Sequence, residues 1–231
     1  MFSFSSVALF LALLLSGYLS ALCSSPPNPN PSQAYKNDRV GGIAGGSPVV
    51  FRRSVILCFS FYHALLALTF PSADTHICRY PSHLNPVLFT WNTHIVACLV
   101  LIICIGAPIR LAAYRGLGKN FTFRLSPPDR LITTGIYRYV QHPSYTGLFT
   151  VVTANFMFLT RWDGSLACWL PGDIVEKMRG WGGLVYCVII FQMLWILSMR
   201  VKDEEAMLHE KFGKSWEQWQ RKTKRFFPGV F

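Results

Sequence analysis

Five apolar stretches, near residues 3–22, 54–70, 92–112, 144–160 and 181–199, leave this chain few ways to fold. Each approaches the roughly 17–25 helical residues needed to cross a hydrocarbon core about 30 Å thick. In lipid the backbone finds no water, so a crossing segment satisfies its N–H and C=O groups internally, as a helix. The pattern predicts an all-α fold, a polytopic membrane helix bundle of about five transmembrane helices. A composition of 52% hydrophobic and 14% charged residues lies well outside the soluble range and agrees.

The first stretch has a second reading as a cleaved signal peptide, because Ser20, Ala21 and Ser24 supply small residues after it, but it lacks a basic leading region. Charge bias arbitrates. Segment 110–143 carries Arg110, Arg115, Lys119, Arg124, Arg130 and Arg138 against the single acid Asp129, and the tail beyond 199 is also basic. Both belong on the cytoplasmic side. Five retained spans place them there, with the N-terminus and loop 71–91 in the lumen and the basic loop 23–53 in the cytosol. Removing the first stretch would put segment 110–143 in the lumen, against the rule.

The formal charge of +11 raises nucleic acid as a partner, yet the basic residues flank apolar runs and no recognition motif interleaves them. Anionic headgroups and topology account for the charge, so the expected surroundings are a lipid bilayer and no nucleic acid. Cysteines at 23, 58, 78, 98, 104, 168 and 187 form no C-x-x-C pair, and four lie in apolar runs. They read as small apolar residues, neither a disulfide framework nor a zinc site. Stretch 24–48, rich in Ser, Pro, Asn and Gly, reads as a linker. Residues 162–180 join two spans into a hairpin, and 201–222 reads as one amphipathic helix carrying Ala206, Leu208, Phe212, Trp216 and Trp219, lying on the bilayer or packed under the spans.

Two segments carry polar chemistry. The first runs from Leu131 to Gly147, on the cytoplasmic side and into the fourth span. Gly135 permits a tight turn, and Pro143 suits the opening turn of a helix. Tyr137, His142 and Tyr145 then surround a helix start whose free N–H groups suit a carboxylate. A plainer reading is an interfacial aromatic belt with a helix-starting proline. The second segment, Arg200 to Gly213, continues from the last span. Arg200 and Glu204 are four apart and share a helix face, an anion clamp beside a cation acceptor. The plainer reading is an ordinary juxtamembrane ion pair.

Taken together and in order, G-x-Y-x-x-x-x-H-P-S-Y-x-G over Gly135–Gly147, a hairpin, R-x-x-x-E-E-x-x-L-x-x-x-F-G over Arg200–Gly213, and Arg225 with Pro228 resemble the isoprenylcysteine carboxyl methyltransferase family. The resemblance covers about 115 residues, Gly116 to the end. The His-Pro and Glu-Glu elements are shared with membrane methyltransferases acting on phospholipids.

The resemblance divides the chain into 1–53, a first span and linker; 54–115, two spans; and 116–231, the catalytic region. It implies S-adenosylmethionine as co-substrate, held by Arg130, Leu131, Ile132, Tyr137, His142, Pro143, Ser144, Tyr145 and Glu204. It makes Arg200 the catalytic and substrate-binding contact for a carboxylate, held bidentately. The implied substrates are prenylated, CaaX-processed proteins, and the implied location is the endoplasmic reticulum membrane with the cofactor site facing the cytosol. Phe149, Phe156, Phe158 and Met193 are candidate prenyl-lining residues by location alone. A carboxylate is already ionised near neutral pH, so no general base is required. No metal is expected: His142 and His209 are lone histidines, a cofactor contact and a surface residue. Rival readings are a phosphatidylethanolamine-type N-methyltransferase, a membrane reductase of the sterol type, and a non-enzymatic scaffold docking anionic lipid. The scaffold leaves the joint spacing of the two segments without an explanation.

Overall fold

A computed structural model describes residues 2–33, 35–41, 47–71 and 76–229. Among them the fold is helical: α1 (Phe4–Cys23), α2 (Ser47–Thr69), α3 (Thr93–Val100), α4 (Ala107–Leu117), α5 (Pro143–Phe158), α6 (Gly172–Phe212) and α7 (Lys214–Lys222). A π-helical turn, Leu101–Gly106, joins α3 to α4. Four helical stretches, Phe4–Cys23, Pro48–Thr69, Pro86–Asn120 and Gly172–Phe212, are long and apolar enough to cross a membrane. The fifth expected span is α5, whose 16 residues rise about 24 Å and fall short of the hydrocarbon thickness. Helix α6 departs the other way, since its 41 residues rise about 60 Å, and exposed Trp181, Phe191 and Trp195 give it an apolar surface suited to lipid.

The chain forms two compact units. The first comprises residues 1–21, 54–105 and 150–190. Its core packs Leu9 and Leu13 of α1 with Leu66 of α2, Leu88, Phe89, Ile95 and Leu99, and Phe158 of α5. Gly17 is required here, because a Cβ would lie 2.3 Å from that of Ser60, so α1 and α2 meet backbone to side chain. Buried His63 is fully satisfied: one ring nitrogen donates to the Leu88 carbonyl at 3.0 Å, which leaves the other to accept from the Ser165 hydroxyl at 2.7 Å. Its ring stacks on Phe89 at 4.7 Å and meets Phe158 edge-on at 5.5 Å.

One expectation about the cysteines fails in this unit. Cys78 and Cys168, both outside the apolar runs, form a disulfide. Spacing alone hid it, because 90 residues separate the partners and the fold, not a local motif, brings them together. Around the bridge, Tyr80 donates its N–H to the Cys168 carbonyl at 3.0 Å, and Arg161 forks onto Asp163 with two bonds of 2.7 Å. That arginine and the hydrogen bond from Asn85 outweigh burial and hold the Asp163 carboxyl below its ordinary range. Of the residues expected to join the hairpin, 162–171 form this cross-linked connection and 172–180 belong to α6.

The second unit comprises residues 22–53, 106–149 and 191–231. At its centre is Arg110, 4% exposed, donating to the Cys23 carbonyl at 2.8 Å and to the Ser144 hydroxyl and carbonyl at 2.6 and 3.0 Å. Its guanidinium also lies over the rings of Tyr114, Phe121 and Phe123 at 5.0, 5.8 and 5.6 Å. Carbonyl dipoles and aromatic faces stand in for a counter-ion. The tail is not one helix. Helix α6 runs on to Phe212, Gly213 turns the backbone with φ +49°, and α7 starts afresh. Only glycine adopts that conformation without strain. Trp216 of α7 is buried, Trp219 donates to the Tyr137 carbonyl at 3.1 Å, and residues 223–226 lie along 140–142.

Peptide mapping of unreduced protein is expected to recover the Cys78 and Cys168 peptides joined, and replacing both cysteines by alanine to lower stability by about 2–5 kcal/mol. Recovery of both as free thiols would remove the bridge.

Candidate active site

All of the expected polar residues fall in the second unit, where they gather around one pocket. Two local structures set it up. Gly135, with φ +61°, opens the short 3-10 turn Gly135–Arg138, which places Tyr137 inward at 5% exposure. Pro143 then begins α5, as its fixed φ and missing N–H favour. Gly147 lets α5 approach α4, because a Cβ would stand 2.7 Å from both the Gly106 carbonyl and the Arg110 nitrogen. This contact keeps Ser144 on Arg110.

Arg130, Leu131, Ile132, Tyr137, His142, Ser144, Tyr145, Arg200 and Glu204 all line the pocket, which holds about 750 Å³ of open space including its mouth. Pro143 does not line it, being fully buried in the first turn of α5. None of Phe149, Phe156, Phe158 and Met193 lines it either. Asn120, Leu125, Met207, Leu208 and Trp219 complete much of the apolar and polar wall.

Acid–base pairing decides which groups face the pocket with capacity to spare. Asp203, Glu204 and Glu205 are consecutive on α6. Asp203 is forked by Arg39, whose Nε lies 3.0 and 3.1 Å from its two oxygens. Glu205 is forked by Arg225 at 2.8 and 2.9 Å and approached by His142 Nε2 at 3.3 Å. Glu204 has no arginine among the described residues. It accepts from the Tyr145 hydroxyl at 2.7 Å and lies 3.8 Å from His142 Nδ1.

His142 turns Nε2 toward Glu205 and Nδ1 toward Glu204, and Nδ1 is buried with no hydrogen-bond partner among the described residues. Glu204 is thus an acceptor suited to an ammonium group, with an unpartnered ring nitrogen beside it. Tyr137 remains a neutral hydroxyl, since burial, with Glu204 nearby, pushes its pKa well above the ordinary value.

Arg200 shares Tyr145 with Glu204, donating Nε to the phenol oxygen at 3.3 Å. The helix spacing of Arg200 and Glu204 does put both on one face. Two expectations need correction. Arg200 is not an open bidentate clamp, because Nη1 donates to Asp38 at 2.5 Å and Nη2 to the Phe123 carbonyl. Nor does the start of α5 offer its amides to a carboxylate, since the Tyr145 and Thr146 N–H groups bond to the His142 carbonyl at 3.1 and 3.4 Å. Of the two lone histidines, His209 is at the surface, 3.0 Å from Glu217.

Asp38 and Arg110 were missed as site residues, and each left a trace. Asp38 is the only acid in residues 24–53, a segment read as linker, and Arg110 is the only Asp, Glu, Lys or Arg in the apolar stretch 92–112. An isolated charge in an apolar stretch calls for a partner, which is the trace Arg110 left.

Against known proteins, residues 97–170 match the isoprenylcysteine carboxyl methyltransferase family. The match includes the Gly135–Gly147 segment and ends before Arg200. The chain is 29% identical over 156 residues to a protein-S-isoprenylcysteine O-methyltransferase of Schizosaccharomyces pombe, covering 65% of this chain and 55% of that relative. It is 28% identical over 149 residues to the protein-S-isoprenylcysteine O-methyltransferase of Dictyostelium discoideum, covering 63% and 53%. The chain thus spans about half the length of these curated relatives. The resemblance read from the motifs is borne out: over the matched residues this chain is similar to isoprenylcysteine carboxyl methyltransferases.

Replacing Gly147 with leucine is expected to force α4 from α5, to loosen Arg110 from Ser144 and to destabilise the protein by about 1–3 kcal/mol. Thermal unfolding in detergent checks this, and an unchanged Tm would contradict the close approach.

Proposed function

We propose that the pocket binds S-adenosylmethionine and that the protein methylates the C-terminal carboxylate of prenylated, CaaX-processed proteins. The observation carrying this reading is the pairing of an ammonium site with an anion site through one phenol: Glu204 and His142 Nδ1 on one side of the Tyr145 hydroxyl, Arg200 on the other. The similarity to isoprenylcysteine methyltransferases supports it.

S-adenosylmethionine supplies a methyl group on a sulfonium, with an amino acid end to hold it. In this chain Glu204 and His142 hold the ammonium, and Arg130, Leu131, Ile132 and Tyr137 contribute pocket wall. Arg200 holds the substrate carboxylate with an oxygen lone pair toward the methyl carbon. That oxygen forms the new O–CH₃ bond as the S–CH₃ bond breaks with its electron pair left on sulfur, giving a methyl ester and S-adenosylhomocysteine. No proton moves, so no base is needed. Opposite charges are neutralised in the step, so a pocket that excludes water favours it, and fixed orientation adds to the gain.

The phosphatidylethanolamine-type rival shares the cofactor site but needs an ammonium deprotonated, for which an arginine at the acceptor position is unhelpful. The positive-inside bias supports a site facing the cytosol, and the Cys78–Cys168 bridge suits loops in an oxidising compartment such as the lumen of the endoplasmic reticulum.

Membranes carrying the protein are expected to transfer label from S-adenosylmethionine to N-acetyl-S-farnesylcysteine in base-labile form, and not to phosphatidylethanolamine. Arg200→Ala is expected to lower kcat/KM at least about 30-fold, the scale of losing a buried charge contact. Label on the lipid alone would favour the rival.

A further inference from the structure

Arg200 already holds a carboxylate. Asp38 Oδ1 lies 2.5 Å from Nη1, and the two side chains are only 3% and 9% exposed. Asp38 Oδ2 accepts the Leu125 N–H at 2.8 Å, so the whole carboxylate is engaged. With Phe123 on Nη2 and Tyr145 on Nε, both the end and the side of the guanidinium lack a pair of open parallel donors. A bidentate substrate carboxylate therefore has to replace one of these partners.

Asp38 is the exchangeable one. Tyr145 is fixed from behind by Glu204, and the Phe123 carbonyl is part of the main chain. Asp38 sits in a polar segment fastened largely from the surface: Arg39 to Asp203, with the Arg39 side chain 55% exposed, and the Tyr35 hydroxyl to Glu210 at 2.9 Å. Main-chain fastening adds the Tyr35 N–H to the Leu125 carbonyl at 2.7 Å.

We propose, resting on the carboxyl methyltransferase reading, that Asp38 is a resident counter-ion that trades places with the substrate carboxylate on Arg200. A buried guanidinium requires an anion at every stage. Before substrate arrives Asp38 supplies it. While substrate is bound its own carboxylate does, and a second carboxylate there would add an unbalanced charge. After transfer the product is a neutral ester that no longer pairs with Arg200. Asp38 then returns, restoring neutrality and favouring departure of the ester. Discrimination follows as well, because a ligand without a carboxylate cannot take the place of Asp38.

Competition of this kind reduces apparent affinity by the fraction of molecules in which Arg200 is free, and so it appears in KM. The full-length protein in membranes tests it, with steady-state methylation of N-acetyl-S-farnesylcysteine by wild type, Asp38→Asn and Arg39→Ala. Asp38→Asn is expected to lower KM about tenfold, and Arg39→Ala, which keeps the acid and loosens its segment, to lower KM by a smaller factor. The carboxamide of the same substrate is expected to inhibit wild type and Asp38→Asn equally. S-adenosylhomocysteine binding reports whether Asp38→Asn keeps its pocket, and if it does not, the exposed Arg39→Ala variant decides. An unchanged or raised KM in the folded variant, or a fall in kcat at unchanged KM, would make Asp38 a positioning residue and overturn the exchange. A wild type that methylates no carboxylate would overturn the parent reading, and this one with it.

Discussion

The pocket wall depends on one phenol. The Tyr145 hydroxyl has a single proton, which it gives to Glu204, so its oxygen is free to accept from Arg200. An anion and a cation are thereby held side by side on one face of α6 without bonding directly to each other. The intervening hydroxyl keeps the two from pairing with each other, so that Glu204 is left to the pocket while Arg200 takes Asp38. Everything around it maintains that arrangement: Pro143 and Gly147 fix the first turns of α5, Arg110 ties Ser144 to α4, and the tail locks Gln141 and His142 from behind.

Crowding three carboxylates on consecutive residues is costly unless each finds a partner of its own. Asp203 takes an arginine from the polar segment before α2, Glu205 takes one from the C-terminal tail, and Glu204 is left for the pocket. The two arginines thus leave Glu204 as the one of the three acids that lines the pocket. They also explain why a basic tail following a helix is a structural part of the site and not only a topological signal.

Much of this was readable from residue spacing. The apolar stretches located the helices, the Gly-Tyr-His-Pro-Ser-Tyr-Gly pattern located the 3-10 turn and the start of α5, and the four-residue step from Arg200 to Glu204 placed both on one face. What escaped depends on contacts distant in sequence. The Cys78–Cys168 bridge, the Asp38–Arg200 pair and the Arg225–Glu205 fork join residues 90, 162 and 20 apart, and no periodicity records them. The break at Gly213 was visible as a residue but not as a turn, because charged and aromatic residues on both sides continue a helical pattern across it. Length misled in both directions, since α5 has only 16 residues while α6 runs on for 41, its C-terminal extension rich in Lys, Glu, Ala, Met and Leu, which are good helix formers.

Ligand binding to purified protein in detergent decides whether Glu204 and the unpartnered His142 Nδ1 hold an ammonium group as proposed. The affinity of S-adenosylhomocysteine is compared with that of its analogue lacking the amino group, in wild type and in Glu204→Gln. Wild type is expected to favour the amine by at least about tenfold, the scale of a charge-assisted hydrogen bond, with the preference largely lost in the variant. Equal affinity of wild type for the two ligands would contradict the assignment.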